Sequence, residues 1–167
     1  IFLACYTAMT RRMLAALEAE RFHDAPWVRS LLERFADYYF DALDACCAGR
    51  PQAPAIWRRA HDAAARPHTL AVQNLLLGVN AHVNYDLVFA VVDVLQVDWP
   101  RLSTAERLAR HDDFCLVNQI IAETGDEVQD EVLERYTPAM DVLDTLLGPL
   151  DEWVVALAWN QEGLDWL

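Results

Sequence analysis

The segment GVNAHVNYDL, residues 78–87, holds two residues whose types and spacing could carry out chemistry. His82 and Asp86 are four positions apart, so on a helix their side chains lie one above the other. An imidazole oriented by a carboxylate can act as a general base, and the same two groups can ligate one divalent metal. A buried hydrogen bond that only specifies packing is the third interpretation. His82 and Asp86 are therefore our candidate catalytic residues and candidate metal ligands.

Other polar side chains crowd the same apolar segment. Asn80, Asn84 and Tyr85 fall within the seven residues that also contain the histidine and the aspartate. A buried polar group without a partner costs about 1 to 3 kcal/mol, so we expect this set to be paired, hydrated or bound to a ligand. Hydrogen bonding between helices is the plainer alternative for the two asparagines. The candidate substrate-binding residues are Asn80, Asn84, Tyr85, Asp113, Asn118 and Trp57.

A second polar segment, HDDFCLVNQII, supplies two of those candidates. Asp113 or Asn118 could reach across to the asparagines of the first segment. Cys115 lies four residues after His111, and a thiolate beside an imidazole can be a nucleophile. A small cysteine on an apolar face is more typical of the core, and we favour that interpretation.

The elements that must position these residues are helices. Helical periodicity runs along nearly the whole chain, and no segment alternates as a strand would. Asp24 can cap a helix with Pro26 in its first turn, and Ser103 with Glu106 can form a capping box. We predict seven helices, over residues 2–20, 24–49, 55–65, 69–96, 103–125, 127–147 and 149–161.

The fourth predicted helix, residues 69–96, is apolar on nearly every side. Such a helix is normally buried all round, so we expect it to be central. Gly78 would let a neighbouring backbone or a ligand approach the helix closely. Residues 1–167 contain no linker, repeat or charge block. The predicted fold class is therefore all-α, a single-domain bundle of about seven helices around a buried central helix.

Composition argues against several classes of partner. The formal net charge of −13 repels nucleic-acid phosphates and anionic membrane surfaces. No uninterrupted apolar run reaches the ~18 to 20 residues of a membrane span. We therefore expect neither nucleic acid nor a membrane as a partner.

The cysteines indicate the compartment. Two of the four cysteines are adjacent and no CxxC pair occurs, which is typical of reduced cysteines in a cytoplasmic protein. The opening IFLACYTAM is too short for a secretory signal and lacks its basic region. Trp153, Trp159 and Trp166 near the end of the sequence suit either the core or a homodimer contact.

Several segments resemble one known family. LLLGVNAHVNYDL, the preceding helix with Trp57 and the following DFCLVN resemble the helical family called domain of unknown function 5995. YTAMT, RFHDAPWV and ERFADYYFDAL are also similar to it, so the resemblance covers most of the chain. Val88 departs from the pattern, which has proline after Asp-Leu. The resemblance implies an all-α fold with a shared polar core and carries no activity.

The function that we favour from the sequence is a small-molecule enzyme. Its pocket would lie beside the fourth helix, with His82 and Asp86 as general base or as metal ligands. In the second case the cofactor would be one divalent metal. The reaction would be a hydrolysis, elimination or cyclisation in specialised metabolism. A non-catalytic small-molecule binding protein and a structural or partner-binding helical protein are the alternatives. A cavity at the pair would favour an enzyme or binder, and complete pairing would favour a scaffold.

Overall fold

The computed structural model describes residues 2–128, and within that range the chain is all-helical, with no strand. Helices and shorter helical turns follow one another in chain order. They are α1 (Phe2–Glu18), α2 (Ala25–Cys47), α3 (Ala55–Ala64), α4 (Ala71–Ala81), a π-helical turn (His82–Asp86), α5 (Leu87–Leu95), a 3-10 turn (Trp99–Arg101) and α6 (Thr104–Val128). The predicted all-α class is confirmed for this part of the chain.

The α4 helix, the π turn and α5 run continuously, so residues 2–128 contain five helices where the sequence predicts five. The predicted fifth helix continues past Gly125 to Val128, and thus overlaps the predicted start of the sixth. The sixth and seventh predicted helices otherwise lie outside the described residues. The count of seven therefore stays a prediction.

Two of the predicted helix starts are built as the sequence indicates. Asp24 caps α2, where its carboxylate accepts a hydrogen bond from the Trp27 backbone N–H at 3.1 Å. At the start of α6, the Ser103 backbone N–H donates to the Glu106 carboxylate at 2.7 Å, and the Glu106 N–H donates back to Ser103 Oγ at 3.3 Å. Each bond satisfies a backbone donor that the first helical turn leaves free.

The long helix formed by α4, the π turn and α5 joins two apolar clusters. Its first half packs with α2, α3 and the start of α1 in one cluster, which contains Ala81, Trp57 and Tyr39. Its second half packs with α1, α2 and α6 in the other, which contains Ala90, Leu31 and Val117. The π turn therefore lies where the two clusters meet.

The prediction that this helix is buried all round is wrong. Val88, Phe89 and Val92 are 57%, 43% and 54% exposed, and together with Tyr85 they form a stripe at the spacing of one helix face. Val72–Leu95 is long and apolar enough, by length and composition, to cross a membrane, as core helices of soluble proteins also can be.

A partly buried polar cluster connects α6 to the start of α2. Arg110 Nε donates to Asp24 at 2.9 Å, and its two terminal nitrogens each donate to an Asp98 oxygen at 2.7 Å. Asp113 accepts the backbone N–H groups of His23 at 2.8 Å and of Asp24 at 2.7 Å. Two-pronged arginine–carboxylate bonds fix orientation as well as distance. This polar cluster therefore sets the position of α6.

Candidate functional site

His82 and Asp86 form a buried pair, as their spacing predicts. His82 Nδ1 lies 3.0 Å from Asp86 Oδ2, and the side chains are 2% and 1% exposed. The indole Nε1–H of Trp57, on α3, donates to the same oxygen at 2.9 Å. Trp57 is itself 2% exposed. The three side chains form a cluster that holds the imidazole in one orientation, which a general base or a fixed ligand requires.

The π turn explains why these two residues face the interior together. Leu87 donates its backbone N–H to His82 O, one residue further back than in an α-helix. The wider turn sets every later residue back by roughly a quarter of a turn relative to a regular helix. Ala90, fully buried, therefore follows His82 and Asp86 on the inner face, and Phe89 turns outward. At 100° per residue Phe89 would share the face of the pair, and the π turn is the reason that it does not.

Five aromatic rings enclose the imidazole of His82. One ring stacks on it with an interplanar angle of 5°, and the others meet it edge-on or tilted. We call this set the aromatic box. Its members, by centroid distance to His82, are Phe35 at 3.6 Å, Tyr6 at 4.8 Å, Phe2 at 5.7 Å, Tyr39 at 5.7 Å and Trp57 at 6.2 Å.

The surroundings favour a neutral imidazole. Burial lowers the pKa of His82, and the hydrogen bond and the charge of Asp86 oppose this only in part. Since Nδ1 faces a carboxylate oxygen, it carries the ring proton, and Nε2 is then an acceptor. Nε2 is buried and has no hydrogen-bond partner within the described residues, and the same holds for Asp86 Oδ1. The complete pairing expected of a scaffold is therefore not met at these two atoms.

Gly78, one turn before His82, makes room for the ring of Phe2. A Cβ built on this glycine would lie 2.8 Å from both Cγ and Cδ2 of Phe2, which is closer than carbon atoms pack. A close approach at Gly78 is confirmed, but it is made by an aromatic side chain and not by a backbone or a ligand as predicted. Phe2 and Tyr6, on α1, are partly exposed, whereas the other three rings of the aromatic box are buried.

We expect Gly78→Ala to lower the free energy of unfolding by about 1 to 2 kcal/mol. Overpacking against Phe2 costs about 1 to 3 kcal/mol, and the better helix propensity of alanine returns about 1. Urea unfolding of the variant measures the difference. In a Phe2→Ala background the clash is absent, so Gly78→Ala should be neutral or stabilising there. Equal destabilisation in both backgrounds would contradict the close contact between Gly78 and the ring of Phe2.

Three of the predicted substrate-binding residues lie on the outside of the long helix. Asn80 and Asn84 are exposed, and Nδ2 of Asn84 donates to Oδ1 of Asn80 at 2.9 Å. Tyr85 is 37% exposed and packs its ring against Phe89. The expectation that all five polar groups of this segment are buried is therefore wrong. Only His82 and Asp86 face the interior.

The candidates on α6 do not join the pair either. Asp113 is buried and binds the backbone ahead of α2, so the prediction that it reaches the asparagines is wrong. Asn118 is partly buried, with an Oδ1 that has no partner within residues 2–128. Cys115 is exposed rather than in the core, with its sulfur 3.9 Å from His111 Nδ1. Trp57 is thus the one predicted substrate-binding residue that the fold brings to His82 and Asp86.

Whether the pair could hold a metal ion depends on how many side chains nearby could act as ligands. Residues 2–128 contain no group of three or more His, Cys, Asp or Glu side chains that could hold a metal ion. The pair offers Nε2 of His82 and Oδ1 of Asp86 as two free donors, whereas catalytic zinc sites use three protein ligands. A metal at this position would therefore need further donors from a ligand or from solvent.

The aromatic box was not predicted from the sequence. Its rings lie on three different helices, and nothing in the sequence connects those of α1 and α2 to His82. One usable signal was the repeated i, i+4 aromatic spacing in both helices, since such pairs share one face. A second signal was Trp57, because a buried indole N–H needs an acceptor.

Comparison with known proteins gives one match. The model of a family described as a family of unknown function (DUF5995) matches residues 1–161. No curated protein and no solved structure matches the chain.

Proposed function

The chain belongs to the family of unknown function DUF5995, and from its buried His82–Asp86 pair we propose that it is a small-molecule enzyme. His82 acts as the general base and Asp86 orients it, with Trp57 holding the carboxylate. The reaction is a hydrolysis, elimination or cyclisation in specialised metabolism, carried out in the cytoplasm. The alternative use of the pair is to ligate one divalent metal whose remaining donors come from ligand or solvent.

One observation carries the proposal, the buried and unpartnered Nε2 of His82. A neutral imidazole whose Nδ1–H is engaged by a carboxylate presents a lone pair at Nε2 that can accept a proton. Leaving such an acceptor unsatisfied costs about 1 to 3 kcal/mol. Strained or unsatisfied groups of this kind concentrate at functional sites, as do π turns. In the proposed enzyme, an O–H or N–H group of the bound ligand is the hydrogen-bond partner of Nε2.

A non-catalytic binding protein is the second candidate, and the enclosure of the pair favours it. With His82 only 2% exposed beneath five rings, a ligand must move part of the aromatic box to reach Nε2. The same contacts could hold a ligand without any proton transfer. The two candidates differ in whether a bound molecule is chemically changed.

The proposal is tested by comparing the wild-type protein with His82→Gln on a mixed extract of small metabolites, followed by mass spectrometry. Glutamine can still donate to Asp86 but is no base at neutral pH. We expect at least one metabolite to be consumed by the wild type and spared by the variant. His68→Gln, at an exposed histidine, is the matched control and should behave as wild type. Equal profiles for all three proteins would contradict an enzyme that uses His82.

Burial of His82 also predicts a pH dependence of stability. Because the pKa is lowered in the folded protein, the unfolded chain binds a proton first as the pH falls below about 6.5. The free energy of unfolding should therefore be unaffected by this group above that pH and should decrease below it, by at most about 1.4 kcal/mol per pH unit. Urea unfolding at pH 7.5, 6.5 and 5.5 measures the slope.

His82→Gln should remove that contribution, and His68→Gln should keep it. The comparison matters because acid also protonates carboxylates elsewhere, which lowers stability in every variant. Parallel pH profiles for the wild type and His82→Gln would show that the imidazole is not held neutral by the fold.

A further inference from the structure

The side chains that bind Asp86 leave half of its carboxyl group without a partner. Both donors to Asp86, the imidazole Nδ1–H and the indole Nε1–H, reach the same oxygen, Oδ2. The other oxygen, Oδ1, is buried and has no donor within the described residues. An acidic side chain is thus enclosed, 1% exposed, with only one of its two oxygens hydrogen-bonded.

An enclosed acidic group is stabilised most by a partner that can donate hydrogen bonds and carry positive charge, because a buried ion without a counter-ion is strongly unfavourable. Oδ1 of Asp86 and Nε2 of His82 remain without partners in the described part of the chain, and both are hydrogen-bond acceptors. The group that completes this cluster must therefore donate hydrogen bonds, and it is most favourable if it is also a cation.

The aromatic box selects the same kind of group. The faces of Phe, Tyr and Trp rings attract cations, most strongly where water is excluded. Five such rings surround His82, and Trp57 also binds Asp86 directly. An enclosed carboxylate together with aromatic rings is a composition suited to an organic ammonium group. A metal ion suits it less, because residues 2–128 provide only two of the donors that it would need.

We propose that the cluster binds the protonated amine of a small organic cation, with ammonium N–H groups donating to Asp86 Oδ1 and to His82 Nε2. The proposal rests on the proposed function, since it assigns the substrate class of the same site. The ammonium group enters from α1, the side on which Phe2 and Tyr6 are partly exposed. Phe2, seated against Gly78 and bound by no polar contact in the described residues, is the ring that moves.

The test uses benzylammonium and benzyl alcohol as probes, since they share one ring and similar size but differ in charge. Isothermal titration calorimetry with the full chain at pH 7 and 150 mM salt measures both dissociation constants. We expect benzylammonium to bind about tenfold more tightly or better. Equal affinity, tighter binding of the alcohol, or no binding of either probe at millimolar concentration would overturn the proposal.

Variants identify the group responsible. Asp86→Asn keeps an acceptor oxygen for Trp57 but removes the charge, and should abolish the preference for the cation. Asp93→Asn lies on the same helix, where the carboxylate is 30% exposed and bonded to Arg34, and should keep it. This control is needed because a chain with a net charge of −13 attracts cations everywhere. Loss of preference in Asp93→Asn as well would overturn the assignment to Asp86.

Tetramethylammonium separates the two parts of the recognition. It is a cation without an N–H group, so it can use the rings but not the two acceptors. We expect it to bind more weakly than benzylammonium and methylammonium. If it binds as tightly as methylammonium, the assigned hydrogen bonds are wrong.

Binding and catalysis can fail separately. Ammonium binding without any metabolite consumption that depends on His82 would support this inference and contradict the proposed enzyme. Consumption, dependent on His82, of neutral metabolites alone would support the enzyme and overturn the ammonium ligand.

Discussion

Asp86→Ala is expected to lower the free energy of unfolding by about 3 to 5 kcal/mol, because two buried N–H donors lose their acceptor at about 1 to 3 kcal/mol each. The truncation leaves the Nε1–H of Trp57 and the Nδ1–H of His82 without their acceptor. Both side chains are 2% exposed, so water cannot replace the lost bonds without opening the packing. Urea unfolding followed by circular dichroism measures the change, with the m-value checked for constancy.

Asp93→Ala is the matched control for that result. Asp93 lies on the same long helix and accepts hydrogen bonds from Arg34 at 2.7 Å and Tyr38 at 2.8 Å, but the pair is 40% and 30% exposed. Exposed ion pairs contribute roughly 0 to 1 kcal/mol, so we expect a loss of no more than about 1. Similar losses at the two positions would mean that Asp86 is not an enclosed acceptor.

Asp113→Ala is expected to cost about 2 to 4 kcal/mol, the second largest effect. Asp113 is 1% exposed and accepts two backbone N–H groups, from His23 and from Asp24. Removing it leaves both donors unsatisfied at about 1 to 3 kcal/mol each, less what water recovers at the half-buried backbone. It also releases the start of α2 from α6. Urea unfolding again provides the measurement.

The neighbouring residue provides the control for Asp113. Asp112 is the same residue type on the same helix, and its side chain is 66% exposed beside His111. Surface substitutions of this kind change stability by no more than about 0.5 kcal/mol. A cost for Asp112→Ala that approaches that of Asp113→Ala would indicate an effect of helix charge rather than of the two backbone hydrogen bonds.

The helices were predictable because their signals are local. Asp24 ahead of a proline and Ser103 ahead of Glu106 each satisfy backbone groups within one turn, so a short window of sequence contains both partners. The same holds for the His82–Asp86 pair, whose two members are one turn apart. Trp57 binds Asp86 from 29 positions earlier in the chain, and the sequence predicted it only as a substrate-binding residue.

The features that the sequence did not predict depend on contacts between residues far apart in the chain. Asp113 was assigned to the site because its polarity fitted, yet its partners are 89 and 90 positions away, at the start of α2. The outward placement of Phe89 followed from the π turn, which a fixed 100° wheel cannot represent. Burial on each side of the long helix is set by which neighbours pack there, and its own apolar composition does not reveal that.

Because of the π turn, deleting a single residue should disrupt the site and leave the fold intact. Deleting the exposed Asn84 would let the turn close as an ordinary α-helix, and the residues after Asp86 would keep nearly their present rotation because the wider turn already contains the extra residue. Ala81 and Ala90 could then still occupy their two apolar clusters. The histidine and the aspartate would stand three positions apart instead of four. A chain with that deletion should retain its helical circular dichroism while losing its preference for benzylammonium, a result that would assign the extra residue of the π turn to the site and not to the fold.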